Sequence, residues 1–420
     1  MQMTERVYQQ NSYNYETEAK IVKIDNNRVI LDRTIFYPTS GGQSADTGNI
    51  DNYRVIDVKN EDNEIVHIID RPFKLPENNE ELGKVHLKID WEHRYDNMQQ
   101  HTGQHLLSAV LLKLLHAETV SSHLGTNYNT VDVSVPMELN DEAINKIELY
   151  ANSLIYNRIP VKSYFPSSNE LNSLILRRKP KVKENIRVVE IEGTDITPCG
   201  GTHLSNTVEI TILKIIKAEK YKGMYRIYFL CGRKASLHYL ENYRTLVQTA
   251  DFLSVPLKEV PLRTKNLMDK SIDQSKLINS LKGKLAEFKI DTILKNMLKI
   301  NTFYFLYDVN NIESNNDETL FLEQKDILKH LKKLPAKSIL LFLEINRKKL
   351  PAKMTLSIKT FPSNSNQKIS ALYILDNIIS KYNGKGGGSK KYARGIITIK
   401  NDTPSPEMIL KTIENILRKQ

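Results

Sequence analysis

The chain has little of what marks secreted or membrane proteins. Its 420 residues include only two cysteines, Cys199 and Cys231, and a single tryptophan. Two cysteines are too few for a disulfide framework and indicate a reducing compartment. No run approaches the ~18 consecutive apolar residues of a membrane-spanning helix, and the N-terminus lacks the apolar segment of a signal peptide. We therefore expect a soluble, cytoplasmic protein.

Acidic residues are outnumbered by basic ones. Lys and Arg total 60 against 49 for Asp and Glu, which leaves a net charge of +11. An excess of basic residues favours a polyanionic partner such as nucleic acid. The abundance of Lys, Asn and Ile can also arise from nucleotide composition, so charge alone does not identify the partner.

The length exceeds what one hydrophobic core usually serves, so several domains are expected. Short alternating strands predict a small β-barrel at residues 1–90. Residues 91–240 mix helices and strands, and residues 241–300 predict a charged helical spacer with coiled-coil spacing. Residues 301–420 alternate apolar strands with helices, which predicts a C-terminal α/β domain. The expected class is a multidomain α+β fold.

Two short motifs predict a metal site. His101 and His105 stand four residues apart in a helical segment, so both imidazoles project from one face. Cys199 and His203 flank two glycines that let the chain turn tightly. Three imidazoles and a thiolate suit zinc, whereas magnesium and calcium prefer oxygen ligands. Two histidines at this spacing would alone fit an ordinary buried pair, but the combination favours zinc in a hydrolytic or structural role.

The ligand count does not decide between those two roles. Four protein ligands usually close a structural zinc site, although such a site can exchange a ligand for water or substrate. Hydroxyl and amide groups near the ligands favour a working site. These neighbours are Thr102, Gln104, Ser121, Ser122 and Thr202.

A glycine-rich, basic run lies near the C-terminus, at residues 383–395. Glycines expose backbone N–H groups and the cations add positive charge, so a phosphate-binding loop for RNA is one interpretation and a flexible solvated loop the other. No P-loop signature is present. The candidate tRNA-binding residues here are Lys385, Gly386, Gly387, Gly388, Lys390, Lys391 and Arg394.

Taken together, these motifs resemble the alanyl-tRNA editing proteins of the AlaX type, relatives of the alanyl-tRNA synthetase editing domain. FYPTSGGQSADTG resembles the family's glycine-rich loop, and HTGQH and CGGTH resemble its two zinc half-sites. EKYKGMYRIYFLCGRKA is similar to the end of the editing core. GKGGGSKKYARG is similar to the DHH-associated C-terminal domain of the large form, so the likeness spans nearly the whole chain.

This resemblance implies hydrolysis of the ester that joins a wrong amino acid, mainly serine and also glycine, to the acceptor end of tRNA specific for alanine. Zinc held by His101, His105, Cys199 and His203 would position the ester or activate water. The sequence shows no candidate for a class II synthetase active-site domain, so aminoacylation is not expected. A weak heptad pattern suggests a homodimer.

The resemblance also suggests roles for residues near the ligands. Gln104, Thr102 and Ser122 are assigned to the catalytic group, and Thr119 and Ser121 are alternatives to Ser122 as the hydroxyl that recognises serine. A site built to bond that hydroxyl discriminates strongly against alanine. The residues expected to approach the acceptor end of the tRNA are Ser40, Gly41, Gly42 and Gln43.

Two other interpretations stay open. One is a related zinc-dependent aminoacyl-tRNA deacylase of another specificity, because threonyl-tRNA synthetase editing domains share the same pattern of histidine and cysteine ligands. The other is an RNA-binding protein whose zinc is purely structural, in which case metal removal would unfold the core.

Overall fold

The computed structural model divides the chain into two compact units, residues 1–252 and 253–420. Each unit has its own hydrophobic clusters. The mixed α+β class is confirmed, whereas the division into four domains stays a prediction. The residues that the structure describes are 4–62, 64–74, 83–134, 138–180, 182, 184–312, 324–331, 334–335, 337–346, 352–361, 369–399 and 404–419.

The first unit begins with a barrel. Six strands close on themselves in the order β2-β3-β7-β6-β5-β8. Alternating burial drives closure, since every second side chain of a strand such as β8 points into the core. The elements of this part are β1 (Glu5–Arg6), α1 (Val7–Gln10), β2 (Glu16–Asp25), β3 (Arg28–Leu31), β4 (Arg33–Thr34), β5 (Gly48–Ile50), β6 (Tyr53–Glu61), β7 (Glu64–Ile69) and β8 (Lys84–Ile89).

A four-stranded sheet in the order β14-β15-β10-β9 and a three-stranded sheet, β11-β12-β13, complete the first unit. Asn140 caps α3, because its side chain accepts a hydrogen bond from the Ala143 amide. The elements are α2 (Trp91–Leu115), β9 (Glu118–His123), β10 (Asn129–Ser134), α3 (Asp141–Tyr156), β11 (Val161–Tyr164), α4 (Ser168–Ser173), β12 (Val188–Ile191), β13 (Asp195–Pro198), a 3-10 turn (Thr207–Ile210), β14 (Leu213–Tyr221), β15 (Met224–Cys231) and α5 (Gly232–Leu253).

Helix α2 is the centre of this unit. Its residues from Asn97 to Leu111 are all buried, because it packs against the four-stranded sheet, α3 and β13. Gly103 allows the close approach to β15, since a Cβ there would lie 2.2 Å from Sγ of Cys231. The helix begins at Trp91 and ends at Leu115, and the next residue, His116, has a left-handed backbone that stops it.

The second unit is built on a six-stranded sheet in the order β16-β17-β18-β19-β21-β20. Its only parallel pair among the described strands is β17 with β18. The elements are a 3-10 turn (Leu257–Glu259), α6 (Val260–Lys295), β16 (Leu298–Ile300), β17 (Phe303–Ile312), α7 (Gln324–His330), β18 (Ser338–Asn346), β19 (Lys353–Phe361), α8 (Ala371–Lys381), β20 (Lys385–Gly388), β21 (Tyr392–Thr398) and α9 (Pro406–Arg418).

The glycine-rich run is a strand and not the predicted loop. Gly386 and Gly388 lie in β20, at the edge of the sheet, paired with β21. A Cβ on Gly386 would lie 2.5 Å from the Arg394 carbonyl oxygen, so glycine lets the two strands approach closely. Within the described parts of both units, we find no helix long and apolar enough to cross a bilayer.

Candidate metal centre and its pocket

The structure brings the two predicted histidine and cysteine motifs together. Helix α2 carries His101 and His105, and the turn after β13 carries Cys199 and His203. One nitrogen or sulfur atom from each lies within 4.8 Å of those from the others. Sγ of Cys199 is 3.4 Å from Nε2 of His101 and 3.3 Å from Nε2 of His203. Tetrahedral zinc with bonds of ~2.0–2.3 Å needs separations of about 3.3–3.6 Å, so this cluster can hold such an ion.

Two of the histidines are oriented by a partner on the outer nitrogen. Nδ1 of His101 lies 2.8 Å from Oε1 of Gln43. Nδ1 of His203 lies 3.2 Å from the Thr102 hydroxyl. Both contacts leave Nε2 as the metal ligand, which is the usual arrangement around protein-bound zinc.

The third histidine faces a buried carboxylate. Nδ1 of His105 lies 3.3 Å from Oδ2 of Asp195, at an angle that does not make a hydrogen bond. Arg177 donates to the same carboxylate over 2.5 Å. Burial raises the pKa of Asp195, but the contacts with His105 and Arg177 outweigh burial and lower it to about 2. Asp195 therefore stays charged and attracts the outer side of the ligand ring.

We predict that Asp195→Asn weakens metal binding about 10- to 100-fold, the usual cost of losing an outer partner. Competition with a chelating dye measures the affinity. Glu192→Gln is the matched control, because Glu192 pairs with exposed Lys162 at the end of the same sheet. Equal affinities in the two variants would show that Asp195 does not support the site.

Cys199 has the electrostatic environment of a thiolate ligand. Burial raises the pKa of its thiol, but the interactions of the sulfur with the neighbouring imidazoles of His101 and His203 outweigh burial, so the pKa lies well below the usual value. Burial is also the main reason why the pKa of His203 falls well below its ordinary value. A thiolate beside a neutral imidazole is the protonation state that zinc requires.

The glycine-rich loop at residues 36–48 reaches over the cluster. Gly41 and Gly42 have φ angles of +59° and +87°, which glycine adopts without strain. Gln43 is fully buried, and its Nε2 donates to the Thr202 hydroxyl over 2.9 Å. The contact of Gln43 with tRNA stays a prediction; in the structure its side chain orients His101, which the sequence alone does not show.

A cavity of about 410 Å³ opens above the ligands. His101, His105 and Cys199 lie on its wall. Its described lining contains no carboxylate and five cations, of which only Arg177 forms an ion pair. An accessible metal site surrounded by positive charge is suited to an anionic substrate. The cationic lining residues are Arg6, Arg177, Arg178, Lys179 and Arg187.

The predicted site residues fall into distinct places. Gln104 and Ser122 line the cavity, as do Ser40 and Gly41. Thr102 is fully buried and acts on His203 instead of facing the cavity.

The two alternatives to Ser122 are both engaged elsewhere. Thr119 donates to Ser108 over 2.9 Å, and Ser121 donates to Asp132 over 2.7 Å. Of the three predicted hydroxyls, Ser122 is therefore the one that lines the cavity.

The basic residues predicted at the C-terminus belong to the second unit. Lys385, Lys390, Lys391 and Arg394 are all exposed, on or beside the edge hairpin β20–β21. Gly386, Gly387 and Gly388 are also exposed, in extended backbone. They lie in the strand β20 and not in the loop that the sequence predicts.

Comparisons with known proteins agree with the site. Residues 186–228 match the family model described as threonyl and alanyl tRNA synthetase second additional domain. Residues 2–93 match tRNA synthetases class II (A), a likeness that sequence analysis did not identify, in the segment that folds largely as the barrel. The C-Ala domain from Aquifex aeolicus alanyl-tRNA synthetase is 19% identical with a TM-score of 0.22, too low to indicate a shared fold; the alignment covers 29% of this chain and 98% of that domain.

Full-length relatives are more informative. The chain is 31% identical over 313 residues to the alanine–tRNA ligase of Methanococcus aeolicus, covering 73% of this chain and 34% of the ligase. It therefore spans about a third of that enzyme. It is 33% identical over 417 residues to the alanyl-tRNA editing protein AlaX-L of Pyrococcus horikoshii, covering 95% of this chain and 96% of that protein. This chain belongs to the AlaX family of alanyl-tRNA editing proteins.

Proposed function

We propose that this chain is an aminoacyl-tRNA deacylase that hydrolyses the ester joining serine to tRNA specific for alanine and spares alanine. Glycine on the same tRNA is the second substrate. The observation that carries this proposal is the cluster of three imidazoles and a thiolate on the wall of a cavity lined with cations. The family relative named for alanyl-tRNA editing supports the choice of substrate.

Zinc held by the four ligands would polarise the ester carbonyl or the attacking water. The surrounding side chains orient the imidazole rings of the ligands. Gln43 and Thr102 contact the outer nitrogens of His101 and His203 and set the ring orientations, and the charged Asp195 faces the outer nitrogen of His105. A rigid ligand set fixes where the reacting carbonyl must lie.

Selection of serine requires a polar partner for its hydroxyl. Ser122 lines the cavity, and no side-chain hydrogen bond in the described protein occupies its hydroxyl. A site that bonds a substrate hydroxyl can reject the analogue that lacks it by several orders of magnitude, about 10⁴- to 10⁵-fold in strong cases. We therefore assign Ser122 to serine recognition. Gln104 lines the same cavity and donates to Ser108 over 2.8 Å, which orients its amide.

The direct test is hydrolysis of tRNA specific for alanine that carries serine, glycine or alanine. We expect rapid loss of serine and persistence of alanine, with Ser122→Ala lowering the ratio of the two rates. A zinc-loaded protein that hydrolyses none of them would reject this substrate and leave another deacylase specificity or a structural zinc. Unfolding on metal removal would favour the structural role.

The edge hairpin of the second unit is proposed to contact the RNA backbone. Its exposed cations would neutralise phosphates, while Gly386, Gly387 and Gly388 let the backbone lie close to the RNA. Replacing all four cations by alanine is expected to weaken tRNA binding. The slope of log affinity against log salt concentration should also become shallower, by roughly 0.7–0.9 for each phosphate that is no longer neutralised. The cations are Lys385, Lys390, Lys391 and Arg394.

Fluorescence titration over a range of salt concentrations measures both quantities. A variant in which four exposed cations of α6 are replaced instead is the control for total charge. Equal effects in the two variants, or no effect in the hairpin variant, would remove the hairpin from the interface. The α6 positions are Arg263, Lys265, Lys270 and Lys284.

We also propose a homodimer through α6. Ile278, Leu281, Leu285 and Phe288 follow alternating spacings of three and four residues, and each is at least 40% exposed in one chain. An exposed apolar stripe with this period is typical of a coiled coil. Light scattering tests the proposal, because a mass of 48.4 kDa corresponds to one chain.

A further inference from the structure

Arg187 is a buried cation without a carboxylate partner. It is 5% exposed and lies just before β12, on the wall of the cavity beside Cys199. Among the described residues it forms no ion pair; it donates to backbone carbonyls instead. Nη1 bonds the carbonyl oxygens of Cys199 and Gly201, over 3.0 Å and 2.8 Å. Nε bonds the carbonyl of Gln9 over 3.3 Å.

These bonds use only part of the guanidinium group. Arginine has five N–H donors, of which Nη1 and Nε supply three. Nη2 carries the other two and has no partner in the described protein, and it is not among the fully enclosed polar atoms that lack one. Arg187 lines the cavity, and Nη2 is the part of its guanidinium that remains for a group bound there.

A buried guanidinium destabilises the fold unless an anionic or hydrogen-bonding partner binds it. Removing an ion from water has a large free-energy cost, and hydrogen bonds to carbonyl groups offset only part of it. Burial lowers the pKa of Arg187, and the nearby Cys199 thiolate opposes that shift only in part. With a metal held by Cys199, the thiolate would offset the guanidinium less, which would leave the cation available to an anionic group in the cavity.

We propose that Nη2 of Arg187 is an oxyanion-binding group of the deacylase site, while Nη1 holds the turn that carries Cys199. The inference rests on the proposed function and names an interaction within it. Two substrate oxygens have the right chemistry: the ester carbonyl, which becomes negative during hydrolysis, and a phosphate oxygen of the terminal nucleotide.

Arg187 differs from the cations at the mouth of the cavity. Lys179 is exposed to solvent and Arg178 is half-buried, so their charges are screened by water. A hydrogen bond from a desolvated guanidinium to an anionic oxygen is stronger and more directional. Arg178→Lys is therefore a suitable control for Arg187→Lys, because both changes keep one positive charge in the lining.

Single-turnover hydrolysis of the serine ester tests the interaction with the carbonyl. If Nη2 stabilises the developing negative charge, the rate of Arg187→Lys falls about 100- to 1,000-fold with little change in affinity. Binding of uncharged tRNA tests the interaction with phosphate. If Nη2 binds phosphate, affinity falls about tenfold and the salt dependence corresponds to one fewer neutralised phosphate.

Rates are expressed per bound zinc. A variant that only weakens the turn would bind less zinc, but its rate per bound zinc would equal that of the wild type. Arg187→Ala with added guanidinium ion serves as the second variant, and restored rate or affinity supports the proposed interaction. Zinc-loaded Arg187→Lys and Arg187→Ala that both keep wild-type rate and affinity would overturn it. An inactive wild type would instead reject the proposed function, and binding of uncharged tRNA would still test the interaction with phosphate.

Discussion

Changing Gly201 to alanine is expected to abolish tight metal binding, whereas the same change at the adjacent Gly200 is expected to leave it intact. A Cβ on Gly201 would lie 2.3 Å from Cε1 and 2.5 Å from Nδ1 of His101. A Cβ on Gly200 would meet nothing within 4 Å. Neither glycine has a positive φ, so the two substitutions differ in the room available to the added methyl group and not in backbone strain.

The methyl group would overlap the imidazole of His101, so the ring would have to leave its position as a metal ligand. Its Nδ1 is bonded to Gln43, whose Oε1 is itself 3.0 Å from the added Cβ. Removing a metal ligand should cost more than the about 10- to 100-fold that an outer partner costs.

Metal content after dialysis and competition with a chelating dye measure the effect. Thermal unfolding of both variants controls for the fold. A Gly201→Ala protein with the zinc content and affinity of Gly200→Ala would show that the ring can move and that the turn is looser than its geometry indicates.

Replacing Arg94 by methionine is expected to destabilise the first unit by about 3–5 kcal/mol, the usual cost of breaking a buried ion pair. Arg94 and Asp46 are 0% and 1% exposed in their side chains and form a two-bond pair. Arg94 also donates to the carbonyls of Ser12 and Ile35. Without it, the Asp46 carboxylate stays buried and uncompensated, and the loop that carries Gln43 is no longer anchored.

The single tryptophan, Trp91, is a convenient reporter, because it lies in the first turn of α2 near Arg94. Denaturant unfolding followed by its fluorescence gives the free energy of unfolding. Arg54→Met is the matched control, since Arg54 pairs with Asp90 at the surface and should cost within about 1 kcal/mol.

The double variant Arg94→Met, Asp46→Asn removes the stranded charge and should recover part of the stability. A destabilisation in Arg94→Met no larger than in Arg54→Met would mean that the buried pair does not hold the loop.

The metal ligands are predictable from sequence because their spacing is local. Residues four apart on a helix share a face, and the two glycines between Cys199 and His203 indicate a tight turn. Hydroxyls and amides close in sequence to ligands are natural candidates, which is why Thr102 and Ser122 can be named. Periodicity predicts α2, and a strong cap predicts the start of α3.

The supporting groups are not predictable in the same way, because they come from distant parts of the chain. Sequence reasoning misses Asp195 and Arg187. Arg187 directly precedes the apolar strand β12 and Asp195 is the first residue of β13, and a charged residue at such a position is a usable signal. It finds Gln43 but not the contact of its side chain with His101, since spacing does not tell which way a loop side chain turns. It predicts a loop for the glycine-rich run because glycine usually breaks strands, whereas here glycine lets β20 approach β21.

The most direct test of a zinc-dependent deacylase is the rate of serine release from tRNA specific for alanine, measured together with bound zinc. The wild type is compared with Cys199→Ala and His101→Ala, each checked for folding, and with Cys231→Ala, which changes the other cysteine outside the cluster. We predict release in proportion to bound zinc by the wild type and Cys231→Ala, and none by the folded ligand variants. Serine release by folded, zinc-free ligand variants would contradict the metal-centred account.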